Sequence, residues 1–192
     1  MKLCILVPCG DTMPTKFVQS LSGLRKPEGT EIIWAVGSLV YDARNQLLDA
    51  AVDKYDFAFW TDSDMTFEPD LLFNMFEVMK KTDAPIVSTV CKMRKPPYHY
   101  CQYTEITEDG DNWNATPIEE PKGTMELEGC GFAGVLIQTS VMKAVRDVWN
   151  RPFQPLDGLG EDLSFCVRAK TLGARIVCDE SLKMGHIGQA IY

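Results

Sequence analysis

The sequence lacks the paired cysteines that would indicate a zinc knuckle or a disulfide framework. Its seven cysteines are an odd number, and no two of them have CxxC spacing. Several of them lie in apolar runs, where cysteine behaves as a small hydrophobic core residue. We therefore expect all seven to be reduced, as is usual in a reducing compartment.

Long apolar runs are also missing, and basic residues are fewer than acidic ones, 19 against 27. No run approaches the roughly 20 residues of a membrane span, and Pro8 interrupts the N-terminal apolar stretch too early for a secretory signal. The cytoplasm is therefore the expected location. The formal net charge of −8 argues against a general nucleic-acid partner, because such proteins neutralise phosphates with a basic surface.

What is present is typical of one globular domain over residues 1–192, with 45% hydrophobic and 24% charged residues. Short apolar runs predict buried strands, and segments with helical apolar spacing around 47–55 and 71–79 separate some of them. The predicted strands are 3–7, 32–36, 57–60, 86–90, 132–137 and 176–178. Asp42 and Ser140 are the candidate N-caps, and Gly173 marks a helix end.

This alternation of strand and helix predicts an α/β fold with a mostly parallel central sheet flanked by helices. Ligands in such folds bind at the carboxyl ends of the strands. The regular pattern stops at about 92–128, where proline, acidic residues and aromatics are frequent. We expect this insertion to form a small antiparallel hairpin and a flap over the active site.

The Asp62-Ser63-Asp64 turn directly follows the buried strand at 57–60. Residues at i and i+2 can project to one side, so both carboxylates can approach one hard cation such as Mg²⁺ or Mn²⁺. The alternative is that the two aspartates only form a turn or cap the helix that follows Pro69.

Two further segments carry residues suited to catalysis or metal binding. Glu161 and Asp162 follow a glycine-rich stretch and open a helix, where they either complement the helix dipole or, for Asp162, accept a proton from a substrate hydroxyl. His186 lies near glycines after the last predicted strand, as a metal ligand or as an ordinary surface histidine. The basic residues Lys92, Arg94 and Lys95 are either a solvated cluster or a contact for a diphosphate or an anionic acceptor.

The order of these features along nearly the whole chain resembles the nucleotide-sugar glycosyltransferases of the GT-A fold, especially the inverting family-2-like enzymes. That resemblance implies a single Rossmann-like GT-A domain. Asp62-Ser63-Asp64 resembles the family's DxD motif, and Glu161-Asp162 resembles its ED motif. The other segments that carry the resemblance are 5–8, 43–51, 128–134 and 186.

The resemblance also implies a role for individual residues. The implied metal ligands are Asp62, Asp64 and His186, and the implied catalytic residues are Asp162, as base, and Glu161. The implied contacts to the donor nucleotide and its sugar are Pro8, Asp11, Arg44, Asn45, Asp62, Ser63 and Gly131. The chain departs from the family at 35–40, where no carboxylate replaces the usual Asp-Asp-Gly-Ser run. Recognition of the base must therefore differ.

The expected activity is a metal-dependent transfer of a sugar, with inversion, from a nucleoside-diphosphate donor to a hydroxyl acceptor. The expected cofactor is Mn²⁺ or Mg²⁺, UDP is favoured over GDP in the donor, and the acceptor is a glycan, a lipid-linked molecule or a protein. One alternative is a catalytically silent module that binds a nucleotide sugar or a metal. Another is a nucleotidyltransferase, but the stretch 8–11 lacks the basic glycine-rich loop that this class requires.

Overall fold

The computed structural model describes residues 1–37 and 39–188. Within these ranges the chain forms a single α/β domain with an eight-stranded central sheet, five helices and a separate three-stranded sheet. The strands are β1 (Leu3–Cys9), β2 (Glu31–Val36), β3 (Phe57–Thr61), β4 (Met65–Phe67), β5 (Ile86–Val90), β6 (Gln102–Asp109), β7 (Asn112–Pro117), β8 (Thr124–Leu127), β9 (Gly129–Cys130), β10 (Gly134–Gln138) and β11 (Ile176–His186). The helices are α1 (Thr15–Gly23), α2 (Val40–Ala51), α3 (Leu71–Thr82), α4 (Thr139–Trp149) and α5 (Glu161–Thr171).

The central sheet is mixed but mostly parallel, as predicted. Its strand order is β2-β1-β3-β10-β5-β11-β4, and β8 pairs with β11 beside this path. Strands β2, β1, β3, β5 and the first part of β11 run in one direction, whereas β10, β4 and β8 are antiparallel to their neighbours. The carboxyl ends of β1, β3 and β5 therefore meet at one edge of the sheet, where ligands of such folds bind.

The predicted insertion at 92–128 contains strands β6 and β7 of the small antiparallel sheet, whose order is β7-β6-β9. The third strand, β9, follows the insertion directly. It begins with a short hairpin in which Lys92 pairs with Tyr100. One part of the segment differs from the prediction, because β8 joins the central sheet by pairing with β11, with Ile176 opposite Leu127. The segment thus contributes both to the small sheet and to the central sheet.

The core lies on both faces of the central sheet. Along β1 the side chains alternate, so that Cys4 and Leu6 pack on the α2 face while Ile5 and Val7 pack on the face of α1 and α3. Helix α2 buries its apolar side chains, among them Leu47 and Leu48, against the first face. The apolar runs predicted as strands are therefore strands covered on both sides, which is why they read as continuous apolar stretches.

Four fully buried aromatic rings form a cluster beneath the carboxyl edge of the sheet. Trp60 at the end of β3 packs against Phe132 and Phe153, with ring centroids 5.6 Å and 5.2 Å away. Phe165 on α5 stacks on Phe153 at 4.7 Å. The cluster ties the end of β3 to the start of α5 through direct apolar packing.

The predicted helix caps at Asp42 and Ser140 are wrong. Helices α2 and α4 begin at Val40 and Thr139, so both predicted caps lie within the first turn. The residues before these helices, Leu39 and Gln138, are extended and make no side-chain capping bond. The prediction at the other end is confirmed, since Gly173 follows α5 with a φ of 82°, the left-handed conformation that glycine adopts most easily.

All seven cysteines are free, as predicted. Across residues 1–37 and 39–188, none of the helices has the length and apolar character that crossing a bilayer requires.

The aromatic cluster predicts a large stability effect at Phe153. Replacing Phe153 by alanine removes a fully buried ring with three aromatic neighbours, and we expect a loss of about 3–5 kcal/mol in the free energy of unfolding. Urea denaturation measures this value. The matched control is Phe73→Ala on α3, whose ring is 41% exposed and whose loss should cost less than about 1 kcal/mol. Equal losses for the two variants would contradict the cluster's role.

Candidate active site

A cavity of about 520 Å³ opens at the carboxyl edge of the sheet. Its wall is formed by the loop after β1, the first turns of α2, the turn after β3 and the start of α5. Asp62, Ser63 and Asp64 line one side, and Glu161 and Asp162 line another. The fold thus brings the two acidic segments, separated by about a hundred residues in sequence, to a single concave site.

Arg44 on α2 connects these two acidic segments. Its side chain is almost completely buried, and its Nη2 donates a hydrogen bond of 2.9 Å to Asp62 Oδ1. Its Nε lies 3.3 Å from Glu161 Oε1 and 2.9 Å from Asp162 Oδ1. The guanidinium also lies over the aromatic cluster, 5.5 Å from the ring centre of Phe132. One buried cation therefore holds the end of β3 and the start of α5 together.

The hydrogen bonding within this cluster is incomplete. Asp162 Oδ1 is buried and accepts no aligned hydrogen bond, because the Nε–H of Arg44 is directed to Glu161 instead. Arg44 Nη1 is also buried without a partner among the residues described. The other carboxylate oxygen, Asp162 Oδ2, accepts a 3.0 Å hydrogen bond from the backbone N–H of Phe132. The bond from Phe132 thus fixes the position of Asp162, while Oδ1 has the charge of Arg44 nearby but no hydrogen bond.

Burial raises the pKa of Asp162 to about 8, although the charge of Arg44 acts in the opposite direction. The negative charges of Glu161 and Asp62 raise it further. Arg44 shows the complementary effect: burial favours loss of its proton, but the three carboxylates, Asp162 foremost, keep its pKa above the ordinary value. A carboxylate with a raised pKa is a stronger base, which suits proton transfer near neutral pH.

A second cluster joins Asp64, His186 and Arg94. Asp64 Oδ2 lies 3.3 Å from His186 Nε2 and 2.5 Å from Arg94 Nη1. Burial opposes ionisation of Asp64, but the hydrogen bond and charge of His186, with the charge of Arg94, lower its pKa below the ordinary value. The bond to Asp64 in turn raises the pKa of His186.

Strand pairing explains why Asp64 and His186 meet. The end of β11 runs antiparallel to β4, with His186 opposite Met65, the residue after Asp64. The N–H of Ile187 also donates a 2.8 Å hydrogen bond to the carbonyl of Asp64. On the other side of the ring, His186 Nδ1 lies 3.0 Å from the carbonyl of Lys92. A proton on Nδ1 donates to that carbonyl, and a proton on Nε2 donates to Asp64. Loss of the Nε2 proton would leave its lone pair free in the neutral imidazole.

The side chains at this site fit a divalent cation only when it arrives with a diphosphate. No group of three or more His, Cys, Asp or Glu within 1–37 and 39–188 is arranged to hold a metal by itself. Of the three predicted ligands, the structure places Asp64 beside His186, while Asp62 gives one oxygen to Arg44. Hard cations that bind with nucleotides often take one or two carboxylates and complete their shell with phosphate and water oxygens. Asp64 would supply one such carboxylate. His186 would supply a ring nitrogen, and the contact of its Nδ1 with the carbonyl of Lys92 orients the ring.

The remaining predicted donor contacts divide into two groups. Pro8 and Ser63 line the cavity, and Gly131 lies against Asp162 at a point where a Cβ would come within 3.2 Å of Cys101. Asp11 is exposed and does not line the cavity, although its neighbours in sequence do.

The nucleotide contacts predicted at Asn45 and Arg44 stay predictions, and the structure shows which protein groups these side chains bind. Asn45 is buried, its amide nitrogen donates to the carbonyl of Tyr41 at 2.8 Å, and its oxygen accepts the N–H of Phe153 at 3.1 Å. Both ends of the side chain are therefore used inside the protein. Arg44 borders the cavity, and its guanidinium binds carboxylates.

The acidic residues make no side-chain capping bond, but their other simple roles agree with the structure: Ser63 and Asp64 form a turn, and Glu161 and Asp162 lie in the first turn of α5. The residue before α3 is Asp70 and the one before α5 is Gly160, and neither helix has a side-chain capping bond. The carboxylates of Asp62 and Asp162 bind Arg44 and Phe132 instead.

Two participants in the site were not assigned from the sequence. The backbone N–H of Phe132 carries no recognisable signal, since any residue but proline supplies it. The contact between Arg94 and Asp64 spans 30 residues, and only the basic run around Arg94 drew attention to that segment.

No protein-family model matches the chain, and no curated protein does. Among solved structures, A197 from STIV is similar at 16% identity and a TM-score of 0.65, over 100% of this chain and 97% of that one. GalNAc-T7, crystallised with UDP, GalNAc and Mn²⁺, has 9% identity and a TM-score of 0.67, over 100% of this chain and 45% of its own.

The TarS structure from S. aureus, covering 1–349, has 15% identity and a TM-score of 0.63, over 97% of this chain and 60% of its own. GalNAc-T7 and TarS are GT-A glycosyltransferases. At these identities the likeness shows the fold alone, and the α/β domain described above is compatible with the GT-A fold.

The raised pKa of Asp162 predicts a pH-dependent gain in stability for Asp162→Asn. The folded protein holds the Asp162 proton up to about pH 8, whereas the unfolded chain loses it near pH 3.8. The stability that Asp162 contributes to the folded state is therefore full below pH 3.8 and is lost as the pH rises towards 8. Asparagine stays neutral and still accepts the Phe132 N–H. We expect the variant to be more stable at pH 8 by about 1–3 kcal/mol, with little difference at pH 4. Urea denaturation at both pH values measures this difference, and a variant that is less stable at pH 8 would contradict it.

Proposed function

We propose that this chain transfers a sugar, in a metal-dependent reaction with inversion, from a nucleoside-diphosphate donor to a hydroxyl acceptor. The observation that carries the proposal is the Arg44 cluster. One buried arginine joins the Asp62 turn to Glu161 and Asp162 on the wall of a cavity at the carboxyl edge of the sheet. A site for a diphosphate and a site for a proton acceptor are thereby held at a fixed separation.

The donor diphosphate lies, in this proposal, on the side of the cavity formed by the Asp62-Ser63-Asp64 turn. Asp64 and His186 would hold Mn²⁺ or Mg²⁺ there, with Asp62 close by, and the ion would supply positive charge to the diphosphate. Arg94, whose guanidinium already contacts Asp64, provides a further cation at the same point. The stretch 35–40 contains no carboxylate, so the base must be bound by other groups. Uridine is proposed as the nucleoside of the donor in preference to guanosine.

Asp162 acts as the base in its ionised form, which becomes more frequent as the pH rises towards its pKa of about 8. Its carboxylate takes the proton of the acceptor hydroxyl while the hydroxyl oxygen forms a bond to the anomeric carbon. The bond from that carbon to the diphosphate oxygen breaks, and the nucleoside diphosphate leaves with the electron pair. Attack from the face opposite the leaving group inverts the anomeric centre. Arg44 and the Phe132 N–H keep the carboxylate oriented throughout, and Glu161 shares Arg44 with it.

The insertion at 92–128 serves as a cover for the bound donor in this proposal. Its first hairpin carries Arg94 directly to Asp64, and its β6 strand pairs with β9 next to Gly131. Exclusion of water by such a segment limits wasteful hydrolysis of the donor. The fold shared with GalNAc-T7, which was crystallised with UDP, GalNAc and Mn²⁺, supports this class of donor.

Asp162→Asn separates the enzyme from a silent binding module. We expect the variant to lose transfer by about 10²–10⁴-fold, because an amide cannot accept the hydroxyl proton. Donor binding in the presence of Mn²⁺ should persist, since the substituted amide would keep the bond from the Phe132 N–H. Transfer is measured as nucleoside diphosphate released, and binding by calorimetry. The matched control, Asp157→Asn, changes an exposed aspartate outside the cavity and should retain activity. Full activity in Asp162→Asn would contradict the assignment of the base.

A thermal-shift panel tests the donor and the metal together. We expect UDP or a UDP-sugar at saturating concentration to raise the melting temperature by roughly 5–10 °C with Mn²⁺, and by much less without it. GDP, CMP and their sugars are compared in the same panel.

Asp64→Asn and His186→Ala should each remove the Mn²⁺-dependent part of this shift. Asp111→Asn, an exposed turn residue, and His99→Ala, the only other histidine, are the controls. A donor panel without any Mn²⁺-dependent shift or hydrolysis in the unmodified protein would refute the proposed function.

A further inference from the structure

A second, larger cavity of about 710 Å³ lies beside the candidate active site. Arg94 lines both cavities, and its guanidinium binds Asp64 of the first. His186 and Gly185, at the end of β11, also line the second cavity. The wall between the two spaces is therefore made of the residues that the proposed function assigns to the diphosphate and its metal.

Two lysines bring positive charge to the lining of this cavity, which also carries two glutamates. Lys92 and Lys183 both line it, and neither has a carboxylate within 4.0 Å among the residues described. Lys92 Nζ instead lies 4.8 Å from the ring centre of Tyr100. The protein as a whole has a net charge of −8. Two lysines without ion pairs on the lining of one cavity can nevertheless bind an anion there.

The other side chains of the cavity suit hydroxyl groups and sugar rings. Tyr98 is 54% exposed, and Tyr100 is half-buried, so both present aromatic surface to a ligand. Glu120 and Glu180 lie on the same lining and can accept hydrogen bonds from hydroxyls. A simple anion would be repelled by the two glutamates, whereas a neutral sugar would make no use of the lysines. The mixture matches a ligand that has hydroxyls and a phosphate in the same molecule.

The hairpin that carries the tyrosines is held in place by backbone bonds. Lys92 pairs with Tyr100, the N–H of Met93 donates to the carbonyl of His99 at 2.8 Å, and the N–H of Tyr98 donates to that of Lys95 at 2.9 Å. These bonds fix the hairpin in the ligand-free protein, which lowers the entropy cost of binding.

We propose that this second cavity binds a phosphorylated sugar or polyol. Lys92 and Lys183 hold the phosphate, the tyrosines pack on the carbon skeleton, and the glutamates accept hydrogen bonds from hydroxyls. This binding does not depend on the proposed function.

The test uses glucose 6-phosphate as the probe, titrated by calorimetry into the full chain without donor or metal. We expect it to bind, and to bind more tightly than glucose or inorganic phosphate, because each of these lacks half of the recognised chemistry. Lys92→Ala and Lys183→Ala should each weaken binding about tenfold or more, the effect of losing one hydrogen bond to a charged group. Lys95→Ala, in the same hairpin but outside the cavity, is the matched control and should bind as the parent does.

Binding of inorganic phosphate as tight as that of glucose 6-phosphate, or full binding by the Lys92→Ala and Lys183→Ala variants, would overturn the site. The titration is repeated with saturating UDP and Mn²⁺, where the two ligands should bind together because they occupy separate cavities. A tenfold loss of glucose 6-phosphate affinity would show that the two ligands share one site and would overturn the separate cavity. Failure of UDP and Mn²⁺ to bind at all would refute the proposed function instead, while the phosphate cavity would stand.

Discussion

The candidate active site depends on the burial of Arg44 among three carboxylates. Removing the arginine from water is costly, and its cost is offset only because Asp62, Glu161 and Asp162 surround it. The group still carries more negative than positive charge, so Asp162 is held where its ionisation is unfavourable. The fold thus maintains an excess of negative charge at the carboxyl edge of the sheet.

The sequence predicted the central sheet well, because strands buried on both faces are continuous apolar runs and the helices between them show a regular apolar spacing. It placed two helix starts wrongly, since α2 and α4 follow extended residues that make no capping bond, and a search for capping side chains cannot find them. The contribution of β8 to the central sheet was also missed. Its partner β11 lies about fifty residues further along the chain, and pairing at that distance leaves no local pattern.

Within the site, the sequence located the acids correctly at strand and helix ends, because the change from apolar to charged residues there is abrupt. It did not predict how Arg44 and Asn45 are used. Both lie on the first turns of α2, and whether a polar side chain there faces a ligand or the interior depends on neighbours distant in sequence, such as Glu161 and Phe153. The second cavity could not be predicted for the same reason. Lys183 on β11 and Tyr100 in the hairpin both line it, but they are distant in sequence and belong to no local motif.

The antiparallel strand β10 has a consequence for how the chain acquires its structure. It lies between β3 and β5, yet it follows both in sequence, with Gly134 opposite Thr61. During synthesis the centre of the sheet must therefore wait for a strand that leaves the ribosome late, and α5 and β11 come later still. Non-local pairing of this kind slows folding. Until β10 arrives, the facing edges of β3 and β5 are exposed and apolar, and a nascent chain interrupted at that stage is the form most prone to aggregate.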